Sequence, residues 1–169
     1  DAPIVAMNLE TGAELWTADI PFEPGDWTPW IAGVKDGRVY ASRSGNGATS
    51  LAKLYALDAV SGAVLWVSQD EIDASPYEGV VFAPDGDPII GNDYTLKRID
   101  ALDGTTVWSS PRPGCSGGGC GPAVFGSAVY LADFNGILRF DLTTGASQYS
   151  STGAFIGFGQ APPMVGNDG

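Results

Sequence analysis

Apolar positions along this chain come in short runs separated by Gly, Asp, Asn, Ser and Thr. The clearest stretch is Ala56-Leu57-Asp58-Ala59-Val60-Ser61-Gly62-Ala63-Val64-Leu65-Trp66. It reads as an apolar strand, a turn on Ser-Gly, and a second apolar strand ending in Trp. The same frame runs from Ala6 through Gly12 to Trp16, from Arg98 through Gly104 to Trp108, and from Arg139 through Gly145 to Tyr149. The glycines are spaced by 50, 42 and 41 residues. Self-similarity at that period is the signature of a repeat architecture.

The residue types explain the turn. Asp or Asn at its start can accept hydrogen bonds from the turn backbone, and Gly takes positive φ without steric cost. The Trp four residues after the Gly is a large flat surface on the second strand. Recurring once per unit, Trp16, Trp66 and Trp108, with Tyr149 in the fourth copy, are expected to pack against the neighbouring unit.

Further strands fill the intervals, and no window predicts a helix longer than a turn or two. Four antiparallel strands per 40–50 residues make the blade of a β-propeller. The fold class predicted is all-β, with three complete blades at 28–68, 78–110 and 121–151 and partial ones at 1–18 and 160–169. With strands lettered a to d from the centre outward, each repeated hairpin is the c–d turn. On this reading the chain enters on strand c and stops after strand a. Unpaired edges and bare apolar faces would result, so further repeats or copies are expected to complete a larger ring.

In a blade the a–b and c–d turns lie on one face, and the b–c and d–a loops on the other. The short turns here, such as Asp36-Gly37 and Asp85-Gly86, share the first face. The long segments 19–27, 43–52, 70–77, 111–121 and 152–160 share the second. Variable loops on a rigid scaffold usually carry binding, so the long-loop face is the expected interaction surface. Trp27 stands outside the repeat frame, between Asp26 and Thr28, as a candidate exposed anchor; Trp30 is expected in the core. The acidic residues Asp26, Asp70, Glu71 and Asp73 complete that candidate face.

Charge narrows the partners. Eight Lys and Arg against twenty Asp and Glu give a net charge of −12 over 169 residues. Such a field repels nucleic acid and anionic membrane surfaces. No apolar run is long enough to span a membrane as a helix. There is no His, which removes the commonest general base and metal ligand. Gly114-Cys115-Ser116-Gly117-Gly118 matches G-x-S-x-G in form, but without a helix or a His base it does not make a nucleophile elbow. The acidic clusters lack the regular spacing of a calcium loop and read as a solvated rim. Cys115 and Cys120 share one Gly-rich loop and are expected to form a disulfide if the chain is exported, giving local rigidity.

The frame Ala-x-Asp-x-x-Thr-Gly-x-x-x-Trp resembles the tryptophan-docking repeat of the quinoprotein-like propellers. Ala6, Asn8, Thr11, Gly12 and Trp16 match it, as do Ala56, Asp58, Ser61, Gly62 and Trp66; Arg98 and Arg139 depart from its Ala, and Tyr149 from its Trp. That family holds pyrroloquinoline-quinone alcohol dehydrogenases and non-enzymatic assembly proteins. In the dehydrogenases the resemblance implies a quinone on a Trp floor beneath a disulfide of adjacent cysteines, beside a calcium. Here four residues separate the cysteines, and no calcium ligands can be matched. The function expected is a non-enzymatic, extracellular or periplasmic scaffold that binds protein. Part of a quinone-dependent dehydrogenase, using calcium and pyrroloquinoline quinone, is the alternative, and a carbohydrate-binding surface at Trp27 is a third.

Overall fold

Val39, Tyr40 and Ala41 are consecutive and all buried. Successive side chains on a strand point to opposite faces, so this strand must be covered on both sides. That condition organises the whole molecule. The structure, a computed structural model, describes residues 3–22, 25–45, 52–72, 79–91, 94–112, 121–133, 136–150 and 166.

Fourteen strands and no helix make up the described residues. A hairpin of β1 (Ile4–Met7) and β2 (Glu14–Ala18) comes first. A four-stranded sheet follows, with β3 (Asp26–Lys35), β4 (Arg38–Gly45), β5 (Lys53–Asp58) and β6 (Val64–Glu71). The third sheet holds β7 (Val81–Phe82), β8 (Pro88–Gly91), β9 (Thr95–Ile99) and β10 (Thr106–Pro111). The fourth holds β11 (Ala123–Phe125), β12 (Ala128–Asp133), β13 (Gly136–Asp141) and β14 (Ser147–Ser150). Every pairing is antiparallel and between consecutive strands, so each sheet is a meander. These are the blades of a β-propeller, stacked face to face.

Alternation sends neighbouring residues into different seams. Val39, Ala41 and Leu57 join Ile4, Trp16 and Ile20 in the seam between the first hairpin and the second sheet. Tyr40, Leu54 and Ala56 join Trp66, Ile90 and Ile99 in the next seam. Ile89 and Leu96 face the other way, onto Trp108, Val129, Leu131 and Phe140. Each seam therefore contains one Trp of the repeat frame. Tyr40 tilts against both Trp66 and Phe82, with ring centroids 5.8 and 5.3 Å away. Trp30 is half-buried and packs at the edge of the same seam.

The inner hairpin turns follow their sequences. At Lys35-Asp36-Gly37-Arg38 both central residues have positive φ, 48° and 74°, which is the geometry whose twist suits a two-residue hairpin.

Two strands run further than the sequence suggests. β3 begins at Asp26, inside the long segment expected over 19–27, because Asp26 pairs with Gly45. β4 accordingly includes Arg43–Gly45, which the sequence reading assigned to a loop.

Candidate functional site

The c–d turn occurs four times, alike in the first, second and fourth copies and varied in the third. In the second sheet the Asp58 carboxylate accepts the amides of Val60 and Ser61, at 3.1 and 2.7 Å, and the Ser61 hydroxyl at 2.8 Å. The Gly62 amide closes the turn on the Asp58 carbonyl at 2.8 Å. Asp141 repeats this with Thr143 and Thr144, and Asn8 with Glu10 and Thr11. In the third copy Asp100 takes the Leu102 amide, and Asp103 takes the amide and hydroxyl of Thr105. These bonds favour the ionised carboxylate. For Asp58 the Ser61 hydroxyl and amide hold the pKa below its ordinary value; for Asp103 it is Thr105, and for Asp141 it is Thr144.

The Gly and the Trp meet across the seams. Trp16 lies over Gly62, where an added Cβ would sit 2.6 Å from its ring. Trp66 lies over Gly104 and Trp108 over Gly145, each leaving a built Cβ only 2.7 Å away. The indole Nε1 of each then donates to a carbonyl of the same turn. Trp16 reaches Ala59 at 3.1 Å, Trp66 reaches Ala101 at 2.9 Å, and Trp108 reaches Leu142 at 3.0 Å. All three rings are buried, yet each polar N–H is satisfied. Gly serves twice here, giving positive φ and leaving room for a ring.

The first hairpin lacks this cover. Among the described residues, no atom lies within 4 Å of a Cβ built at Gly12. Leu9 is 100% exposed, whereas Leu142, at the same place in its turn, is 7% exposed beneath Trp108. Tyr149, opposite Arg139 in β14, holds the Trp position of the last sheet.

Arg98 stands where the frame has Ala. It pairs with Trp108 in the β9–β10 register, and its Nη1 donates to the same Leu142 carbonyl at 3.0 Å. The guanidinium also meets Asp87 at 2.9 Å and Asp85. Asp87 in turn accepts the Ala101 amide at 2.9 Å. One cation thus ties two turns of its own sheet to the next sheet. Its departure from Ala was the signal in the sequence; the two Asp partners, in a separate turn, gave none.

On the long-loop face the expected residues separate. Trp27 is 62% exposed. Asp26 is buried, because pairing in β3 turns it inward, and so it does not belong to an exposed acidic rim. Asp70 is exposed, but its carboxylate accepts the Thr106 hydroxyl at 2.7 Å, across to the next sheet. Glu71 is exposed at the end of β6. Asp73, Cys115 and Cys120 lie outside the described residues, as do all of residues 160–169 except 166. Arg43, which the sequence did not single out, is buried at 3% exposure and donates to the carbonyls of Ile20, Pro21 and Trp27. Beside it is a cavity of about 230 Å³ bordered by Asp26, Tyr55 and Glu71.

A quinone and its calcium do not fit the described residues. Trp16, Trp66 and Trp108 are enclosed in seams and form no open floor. No group of three Asp, Glu, Cys or His side chains among those residues could hold a metal ion. Asp85 and Asp87 are engaged with Arg98.

Comparison with known proteins agrees with this architecture. A family model described as outer membrane protein assembly factor BamB matches residues 1–154. The outer membrane protein assembly factor BamB of Burkholderia pseudomallei is 28% identical over 170 residues, which cover 97% of this chain and 42% of that protein. The crystal structure of BamB from Moraxella catarrhalis superposes with a TM-score of 0.59 at 22% identity, over 90% of this chain and 44% of that one. A europium-containing methanol dehydrogenase superposes with a TM-score of 0.53 at 15% identity, over 75% of this chain and 27% of that one. The chain spans less than half the length of these proteins, and at such identities the two structures speak to the fold alone.

Proposed function

The chain belongs to the PQQ-like repeat family described as outer membrane protein assembly factor BamB, and from that premise we propose that it is a non-enzymatic scaffold that binds protein. The reading places it in the periplasm or outside the cell, as the name of its relatives suggests. One observation carries it. Three seams are each closed by a Trp lying over the Gly of the next blade's turn, with its indole bonded to a carbonyl of that turn. A stack held by such repeated seams suits a scaffold that presents its surface to a protein partner. Rigid seams also hold the long loops in fixed relative positions, which lowers the ordering cost of binding. Trp16, Trp66 and Trp108, with Gly12, Gly62, Gly104 and Gly145, are the docking residues in this reading, and Tyr149 takes the Trp role in the last blade. Neither calcium nor quinone has a part in it.

The test is photo-crosslinking in the native host. A crosslinking amino acid is placed in turn at the exposed positions Phe22, Trp27, Val60 and Leu102. Discrete protein adducts at one or more positions are expected. Absence of adducts at all four, together with stoichiometric retention of added pyrroloquinoline quinone and calcium, would overturn the scaffold in favour of a dehydrogenase segment.

A further inference from the structure

Phe22, after β2, and Trp27, at the start of β3, are two large exposed aromatics fastened from beneath by one buried cation. Phe22 is 60% exposed and Trp27 is 62% exposed. Arg43 Nε donates to the carbonyls of Ile20 and Pro21, both at 2.8 Å, and its Nη1 donates to the Trp27 carbonyl at 3.1 Å. The guanidinium also lies 5.4 Å from the centre of the Phe22 ring, within cation–π range. Just beyond Trp27, the Ser44 hydroxyl donates to the Thr28 carbonyl at 3.2 Å. The backbone at Ile20, Pro21, Trp27 and Thr28 is therefore held, and the rings of Phe22 and Trp27 still face solvent.

The Arg43 guanidinium donates to three backbone carbonyls, of Ile20, Pro21 and Trp27, and these bonds set where Phe22 and Trp27 stand. Rigid aromatic anchors bind at low entropic cost and are enriched among the residues that dominate interface energies. The cavity of about 230 Å³ beside Arg43, between Ile20, Pro21, Asp26 and Tyr55, is large enough to admit a side chain.

Charge selects the occupant. The chain carries −12 overall, and the exposed carboxylates of Asp19, Asp70 and Glu71 belong to the same long-loop face. We infer that Phe22 and Trp27 form a docking platform for an extended protein segment whose apolar side chains are flanked by Lys or Arg. The inference rests on the scaffold reading and gives it a surface. Nucleic acid and anionic lipid are repelled by the same field.

A random twelve-residue peptide library displayed on phage tests it. Selection is on the native protein, with counter-screening on the double variant Phe22→Ala, Trp27→Ala. Enriched peptides should combine Lys or Arg with Leu, Ile or Phe. A synthetic copy should bind the double variant at least about tenfold more weakly and lose affinity as salt rises. Should the double variant misfold, Glu71→Lys with Asp19→Lys serves instead, and should weaken the same peptide. Peptides that bind native and variant proteins equally, or that are acidic, would overturn the platform and leave the scaffold reading standing. No enrichment also overturns it; if the in-host crosslinks fail as well, the scaffold reading falls with it. Chito-oligosaccharides that quench the native protein's fluorescence but not that of Trp27→Ala would assign Trp27 to sugar and overturn the inference.

Discussion

Trp66 and Gly104 are 38 residues apart in sequence and in direct contact across a seam, with the indole Nε1 bonded to the Ala101 carbonyl three residues earlier in the same turn, 2.9 Å away. Stacking fixes the distance between blades, and the hydrogen bond fixes the lateral position. Trp66→Ala should therefore lower stability by about 3–5 kcal/mol through the cavity it leaves. Trp66→Phe keeps a ring but strands the Ala101 carbonyl, at about 1–3 kcal/mol. Urea unfolding followed by circular dichroism measures both. A loss under about 1 kcal/mol for the Ala variant would remove Trp66 from a docking role.

The first two glycines of the series make an internal control. Gly12 and Gly62 have nearly equal φ, 68° and 73°, so an Ala at either carries the same left-handed strain of about 1–2 kcal/mol. Only at Gly62 does the new methyl meet the Trp16 ring. Gly62→Ala should cost a further 1–3 kcal/mol or so from overpacking. Equal losses in the two variants would show that Trp16 does not rest on its turn.

Much of this was written in the chain. The repeat of Asp, Thr or Ser, Gly and Trp carries its own geometry, because each residue acts within one turn or on the turn of the next blade. The limits of β3 and β4 were not legible, since Asp26–Gly45 pairing extends through polar residues without an alternating pattern. Arg43 was hidden for the same reason. Its partners are backbone carbonyls 16 to 23 residues away, and carbonyls leave no mark on a sequence. Asp26 looked like part of an acidic surface because charge pattern shows composition and not which way a strand turns.

Arg98 should behave as a paired buried charge. Its side chain is 10% exposed and that of Asp87 is 13% exposed. Arg98→Ala restores the residue found at Ala56, yet strands Asp87, so a loss of about 3–5 kcal/mol is expected. Adding Asp87→Ala to it should recover part of that loss, although the Ala101 amide then lacks its acceptor. A double-mutant cycle by chemical denaturation reads the coupling, and additive losses would deny it.

Acid should weaken the turns. The carboxyls of Asp58, Asp103 and Asp141 are held below their ordinary pKa by hydrogen bonds from Ser61, Thr105 and Thr144. A lowered folded-state pKa adds stability that is complete above the unfolded Asp value of about 4 and is lost as pH falls through the lowered values. Melting temperature should drop across that window. Asp58→Asn and Asp141→Asn, at the position Asn8 fills in the first turn, together with Asp103→Asn should flatten the drop. An unchanged acid limb in the triple variant would place the titrating groups elsewhere.

The central claim is that Trp–Gly seams hold the blades together as one stack. Urea unfolding of the 169-residue chain, followed by both Trp fluorescence and circular dichroism, measures it. Coincident transitions that shift together to lower urea in Gly104→Ala are the predicted result. Separate transitions, or a Gly104→Ala variant that unfolds like the native chain, would contradict it.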